Sequence, residues 1–217
     1  MWMHIDGAFG GSILFSEIYS NLAKGTEFAD SMSWDTHKWA MQTYSCSSLI
    51  VKDKNNLLNV FSEHPEYFAL HNGVRDPDQL CLTNEDVYNV VLGEGLDLLK
   101  EKHDPEAALQ IVSLTQDDNE DFCECKNCKA LDEANGSHAG SMITFVNKIA
   151  KEVAKAGYDN VAIDTFAYRY TRTTPTNVIP EPNVIVRLCT IECCFSHALD
   201  DAACEQNAAL MQDLINW

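Results

Sequence analysis

Residues 137–167 read SHAGSMITFVNKIAKEVAKAGYDNVAIDTFA. Met142, Phe145, Val146, Ile149 and Val153 recur at helical spacing, so the stretch over 137–155 predicts an amphipathic helix. Gly157 follows as a stop, and Asn160–Ala167 reads as a buried strand. A helix feeding a buried strand across a short turn is the repeating unit of a parallel α/β sheet. The same pattern extends in both directions. Upstream, Asn84–Lys100 reads as a helix capped by Thr83 or Asn84, and Ala108–Leu114 as a strand that runs into the polar stretch 116–121. Downstream, Asn183–Ile191 reads as a strand ending at Glu192, and Asp200–Trp217 as a final helix. His64–Pro77, with Pro65, Gly73 and Pro77, reads as a loop, as does the stretch holding Cys123, Cys125 and Cys128. Polar residues follow each strand, where α/β folds place their chemistry. Residues 64–217 are too few for a complete eight-unit barrel, typically about 250 residues, so the region is part of a barrel or a smaller open sheet.

The chain has 217 residues, 46% of them apolar, which is a globular composition. Its formal charge is −18, and the acidic excess concentrates beyond residue 63. Such a surface repels phosphate backbones and anionic lipid, which argues against nucleic-acid and membrane-surface partners. No run approaches the roughly 20 apolar residues that span a bilayer. MWMHIDGAFGG at the start shows no export signal, so a cytoplasmic setting is expected. Nine cysteines in that setting suit free thiols or a metal knuckle better than a disulfide framework.

Residues 1–63 read as strand, turn, helix, strand, strand, helix: Met1–Asp6, Glu17–Lys24, Ala29–Trp34, Ser47–Val51 and Asn55–Phe61 carry the pattern. Asp6 ends the first strand and Lys38 follows the second. Pyridoxal phosphate needs such a pair, a lysine for the Schiff base and an acid beside its pyridine nitrogen. Alone the pairing is weak, since an Asp after a strand is more often a cap and a Lys more often solvated. The surrounding words are more specific. HIDGAFGGS (4–12), ADSMSWDTHKW (29–39) and CSSLIVKDKNNLL (46–58) resemble consecutive blocks of the pyridoxal-phosphate-dependent group II amino-acid decarboxylases. The resemblance implies that Asp6 pairs with the pyridinium nitrogen, that Ala8 lies against the ring, that Lys38 forms the covalent link and that His37 adjoins the cofactor. It also implies a carboxy-lyase acting on an amino acid. The family often has Ala where this chain has Gly7. The resemblance enters that family partway through its large domain, so the chain alone is not expected to decarboxylate.

Residues 64–217 carry a second resemblance. HPEYFAL (64–70), QLCLTN (79–84), Gln116–Asp118, CECKNC (123–128) and NVIVRLCTIECCFSH (183–197) are similar to an uncharacterised bacterial domain related to glycoside-hydrolase-type barrels. Both resemblances include a word close to HPEY, so the chain reads as two partial domains, 1–63 and 64–217, spliced near residue 64. The fold class expected is α/β: a fragment of a type I pyridoxal-phosphate-enzyme large domain joined to a partial parallel βα barrel-like region. Exposed faces of two such pieces need cover from each other or from a second copy, so a homo-oligomer is compatible with this reading.

Among residues 64–217, Asp117, Asp118 and Glu192 would each lie just beyond a strand, and two carboxylates facing one cleft are what glycoside hydrolysis requires. Four acids in 117–121 equally describe a solvated loop. Tyr168, Tyr170 and Trp217 are candidates for sugar contact, although aromatic residues at strand ends more often pack. Cys123, Cys125 and Cys128 form C-x-C-x-x-C, which binds zinc if a fourth ligand arrives; His138, Cys81 and Cys193 are candidates. A disulfide among the three and unligated thiols are alternatives, and no metal site is assigned. Cys189, Cys193 and Cys194 read as core thiols of an apolar strand. The histidines form no evident constellation with a nucleophile.

Overall fold

The computed structural model describes residues 4–6, 14, 16, 18–29, 31–35, 47–51 and 60–217. It divides into two compact units, 1–60 and 61–217.

In the first unit, β1 (His4–Asp6), β2 (Ser31–Asp35) and β3 (Ser47–Val51) form one sheet. β1 and β2 are parallel in the register His4↔Ser31, Ile5↔Met32 and Asp6↔Ser33. β3 runs antiparallel to β2, with Trp34 opposite Ser48. The chain between β1 and β2 is long enough for a crossover, which parallel pairing requires. The helix expected over 17–24 is, in its described part, a 3-10 turn at Ser20–Ala23. Residues 60–63 are helical, whereas 52–59 of the expected Asn55–Phe61 helix lie outside the described residues.

The second unit opens with a hairpin in a stretch whose Pro and Gly content predicts a loop. β4 (Phe68–His71) and β5 (Val74–Leu80) form an antiparallel hairpin. Asn72 and Gly73 turn it, with φ of 49° and 79°. Asn-Gly favours this turn because both residues tolerate positive φ, and the resulting twist matches that of the strands. Pro77 is accommodated because each strand of a two-stranded sheet is an edge.

Helix α1 (Glu85–Lys102) follows. The Asn84 side chain caps it, accepting from the Asp86 and Val87 N–H groups at 2.8 and 3.3 Å. Glu85 and Asp86 in the first turn and Lys100 and Lys102 in the last complement the helix dipole. β6 (Gln110–Ser113) leads through the polar stretch to α2 (Lys126–Asn135), a helix absent from the sequence reading. Gly136, at φ 63°, ends it. α3 (Ala139–Lys155), β7 (Val161–Ala167), β8 (Val184–Leu188) and α4 (Glu205–Asn216) complete the unit.

β6, β7 and β8 form a parallel sheet in that order. The observed architecture is therefore α/β, with a three-stranded parallel sheet. The predicted face of α3 packs on this sheet. Met142, Phe145, Val146, Ile149 and Val153 meet Val161 and Ile163 of β7, and Val87 and Leu99 of α1 close the cluster. Each such side chain contributes about 1.5–3 kcal/mol on burial. β8 stops at Leu188, so Cys189, Cys193 and Cys194 lie beyond it and are only partly buried, not in a strand core.

Candidate functional site

Parallel strands end on one edge, and the loops leaving β6, β7 and β8 meet there through polar contacts. Gln116, after β6, is buried, and its Nε2 donates to the Tyr168 carbonyl at 2.9 Å and to Thr171 Oγ1 at 2.6 Å. Thr171, also buried, donates to the Phe166 carbonyl at 2.8 Å. Gln79 at the end of the hairpin donates to the Asp117 carbonyl at 2.9 Å and to Asn119 Oδ1 at 2.7 Å. The loop after β6 is therefore held from two sides. Between Tyr168 and Tyr170, Arg169 adopts a left-handed φ of 49°. A non-glycine residue there carries strain that surrounding contacts must offset.

The carboxylates predicted beyond the strand ends lie in this region, each engaged. Asp118 Oδ1 accepts from Tyr168 Oη at 2.8 Å and Arg169 Nε at 2.6 Å. Arg172 pairs with Glu192 and, at 2.6 Å, with Asp213 of α4. Trp217 Nε1 donates to the Arg172 carbonyl at 2.8 Å. Asp118 and Glu192 thus sit in separate ion pairs.

Two cavities flank Tyr170. A cleft of about 570 Å³ is lined by Phe122, Asp132, Ser137, His138, Tyr170 and Thr173, among others. The Phe122 and His138 rings stack with centroids 3.7 Å apart, and Tyr170 lies 5.8 Å from Phe122. Asp132 orders this wall: its Oδ2 lies 3.0 Å from His138 Nδ1, and its Oδ1 accepts from the Ser141 N–H at 2.9 Å. A smaller cavity of about 220 Å³ touches Gln79, Gln116, Asp117, Phe145 and Tyr170. Burial pushes the Tyr170 hydroxyl above its ordinary range, and the Asp117 and Asp132 charges push the same way. Tyr168 is raised by burial and then by its bond to Asp118.

Of the residues expected to hold pyridoxal phosphate, Asp6 is the last residue of β1, beside Ser33 of β2. Ala8, His37 and Lys38 lie outside the described residues, as does Cys46.

The cysteine knuckle gains its fourth thiol from the end of β5. Cys81, Cys123, Cys125 and Cys128 bring their sulfurs within 4.8 Å of one another. Cys125 occupies the N-cap position of α2 and Cys128 lies in its first turn. Cys81 Sγ is 3.7 Å from Cys125 Sγ and 4.0 Å from Cys128 Sγ. Thr83 Oγ1 lies 3.1 Å from Cys128 Sγ and 3.6 Å from Cys125 Sγ, and the Leu70 N–H donates to Cys123 Sγ at 3.4 Å. Hydrogen bonds with Cys123 and Cys128 pull the Cys81 thiol down; hydrogen bonds with Cys123 and Cys81, and then burial, hold Cys128 up. Neither His138 nor Cys193 joins this group. A smaller one comprises Cys194, His197 and Cys204, with Cys194 Sγ 3.1 Å from His197 Nδ1. Of the three candidates that the sequence offers for the fourth position, His138, Cys81 and Cys193, the fold brings Cys81 to the group.

Comparison with characterised proteins finds similarity to decarboxylases. Aromatic-L-amino-acid decarboxylase of Cavia porcellus is 34% identical over 100 residues, 46% of this chain and 20% of that protein. L-tyrosine/L-DOPA decarboxylase 2 of Lophophora williamsii is 39% identical over 80 residues, 37% of this chain and 15% of that protein. Tyrosine/DOPA decarboxylase 3 of Papaver somniferum is 42% identical over 67 residues, 31% of this chain and 13% of that protein. The chain spans a fifth or less of the length of these relatives. Among the described residues no helix is long and apolar enough to cross a membrane. The family model described as "Domain of unknown function (DUF4838)" matches residues 18–217, and the chain belongs to that family.

Proposed function

We propose that residues 1–63 are the cofactor-lysine segment of a pyridoxal-phosphate-dependent amino-acid decarboxylase, of the type I large-domain fold. The observation that carries this reading is the parallel pairing of β1 with β2. β1 ends at Asp6 and β2 ends at Asp35, so the two parallel strands end on the same sheet edge, and Lys38 follows three positions later in the sequence. The similarity to aromatic amino-acid decarboxylases supports the same assignment. When bound, the cofactor supplies an electron sink for the carbanion left by a departing α-carboxylate. In this reading the Lys38 amine tethers the cofactor, the Asp6 carboxylate keeps a proton on the pyridine nitrogen, Ala8 leaves room for the ring and His37 lines it. The substrate class is an amino acid.

Borohydride reduction of the full chain with pyridoxal phosphate, followed by peptide mass analysis, tests the assignment. A stable pyridoxyl adduct on Lys38, lost in Lys38→Ala and weakened in Asp6→Ala, is the expected result. Labelling spread over surface lysines, with none preferred, overturns it.

A second reading concerns residues 64–217 as a partial barrel-like domain. The cleft of about 570 Å³, walled by Phe122, His138 and Tyr170 beside the Asp132 carboxylate, has the size and lining of a site for a small polar ring such as a sugar. Titration with oligosaccharides should show binding that Tyr170→Ala abolishes and Asp132→Asn weakens. Equal binding by all three chains removes this reading.

A further inference from the structure

We propose that Cys81, Cys123, Cys125 and Cys128 hold one zinc ion in a closed, structural tetrathiolate site that fastens the β4–β5 hairpin to the start of α2. Zinc–thiolate bonds of about 2.3 Å in a tetrahedron place the sulfurs about 3.8 Å apart. The Cys81 sulfur lies 3.7 and 4.0 Å from those of Cys125 and Cys128, and all four fall within 4.8 Å. A disulfide would need about 2.05 Å and would consume only two of the four.

The surroundings suit thiolates. The Leu70 N–H points at Cys123 Sγ and the Thr83 hydroxyl lies against Cys125 and Cys128. Donors of this kind orient and stabilise metal-bound sulfur. Cys125 and Cys128 also stand at the N-terminal end of α2, where the helix dipole favours negative charge. Cys81, Cys123 and Cys128 are buried, at 4%, 8% and 1% exposure. Four protein ligands in a closed pocket leave no position for substrate or water, so the ion's role is structural. On binding, each thiol gives up its proton to solvent and each sulfur gains a bond to zinc.

The fold shows what such an ion would do. A two-stranded hairpin is marginal by itself. The cluster of Ala69, Cys81, Cys123 and Cys128 is separate from the main core and contains little besides these thiols. Zinc supplies the crosslink that a small apolar cluster cannot, and it joins segments on either side of α1 and β6.

The test uses the full chain carrying Cys194→Ser and Cys204→Ser, so that the smaller thiol group contributes nothing. Elemental analysis of protein purified without chelator should find one zinc per chain. Replacing zinc by cobalt should give the intense visible bands and sulfur-to-metal absorption of tetrahedral tetrathiolate cobalt. Cys81→Ser should remove the zinc or reduce the cobalt signature to that of three sulfurs, while Cys189→Ser, outside the group, retains both. Because Cys81→Ser alone could misfold, the intact chain is also stripped with chelator and refilled: its melting temperature should fall and then recover with zinc. Absence of metal together with no cobalt thiolate absorption overturns the proposal. So does a disulfide between any two of the four found by alkylation mapping, or iron in place of zinc.

Discussion

Asn207, on the first turn of α4, holds Cys194 by both of its backbone polar groups. Its Oδ1 accepts from the Cys194 N–H at 2.7 Å and its Nδ2 donates to the Cys194 carbonyl at 3.1 Å. The same Nδ2 reaches the Ala198 carbonyl at 2.9 Å, and Asn207 is fully buried. A buried amide thus does for the loop after β8 what a strand partner would do elsewhere. Asn207→Ala leaves these groups without partners, and an unsatisfied buried polar group costs about 1–3 kcal/mol. Urea unfolding should show a loss of that size. A loss below about 0.5 kcal/mol, the usual scatter of surface substitutions, would mean that the loop is held by other contacts.

Gly140 and Gly93 should respond to alanine with opposite signs. A Cβ at Gly140, in the first turn of α3, would lie 2.7 Å from Asn135 Cβ, an atom close to its own backbone and unable to swing away. Gly140→Ala should destabilise by about 1–3 kcal/mol, as overpacking does. Gly93 in α1 has open space around it. Gly93→Ala should stabilise by about 0.5–1 kcal/mol through helix propensity. Melting temperatures of the two variants check both signs.

Tyr170 should make stability fall in alkali. Its hydroxyl is raised above the ordinary tyrosine value by burial and by the Asp117 and Asp132 charges. The folded chain therefore keeps the proton more tightly than the unfolded chain. Stability from this group is complete below the unfolded value near pH 10 and is lost as pH rises toward the folded value, at up to about 1.4 kcal/mol per pH unit. Unfolding measured from pH 9 upward should decline less steeply in Tyr170→Phe than in the parent chain. Identical slopes would contradict the assignment.

Arg187 on β8 pairs with Asp164 on β7, whose side chain is 1% exposed and whose Oδ1 has no hydrogen-bond partner among the described residues. Arg187→Ala strands a buried carboxylate, and breaking such a pair costs about 3–5 kcal/mol when burial is complete. Arg187 is half exposed, so water recovers part of this, and a loss of about 1–3 kcal/mol is expected. Adding Asp164→Asn should restore part of the loss; a double variant no better than the single would show that packing by the Arg187 stem dominates.

The Asn72–Gly73 hairpin and helix α2 are not legible from local sequence pattern. Asn-Gly is itself a strong local signal, but Pro77 and Gly73 together read as loop punctuation. Only pairing with β4 shows that Pro77 stands on an edge. In α2 the apolar periodicity is short and broken by charged residues, so nothing local separates its KNCKALDEAN from a turn.

What the sequence by itself determined is what short-range physics controls. The α3 face, a cap for α1 at Thr83 or Asn84, the buried β7 and the parallel βα order all follow from periodicity and capping within a few residues. Tertiary structure alone decided which thiol completes the knuckle, because Cys81 and Cys123 are separated by α1 and β6 and no local pattern links them. It likewise decided that Asp118 and Glu192 enter separate ion pairs, since the arginines that hold them arrive from the loop after β7. Contacts between distant segments depend on how the layers pack, and that geometry is set by the whole core.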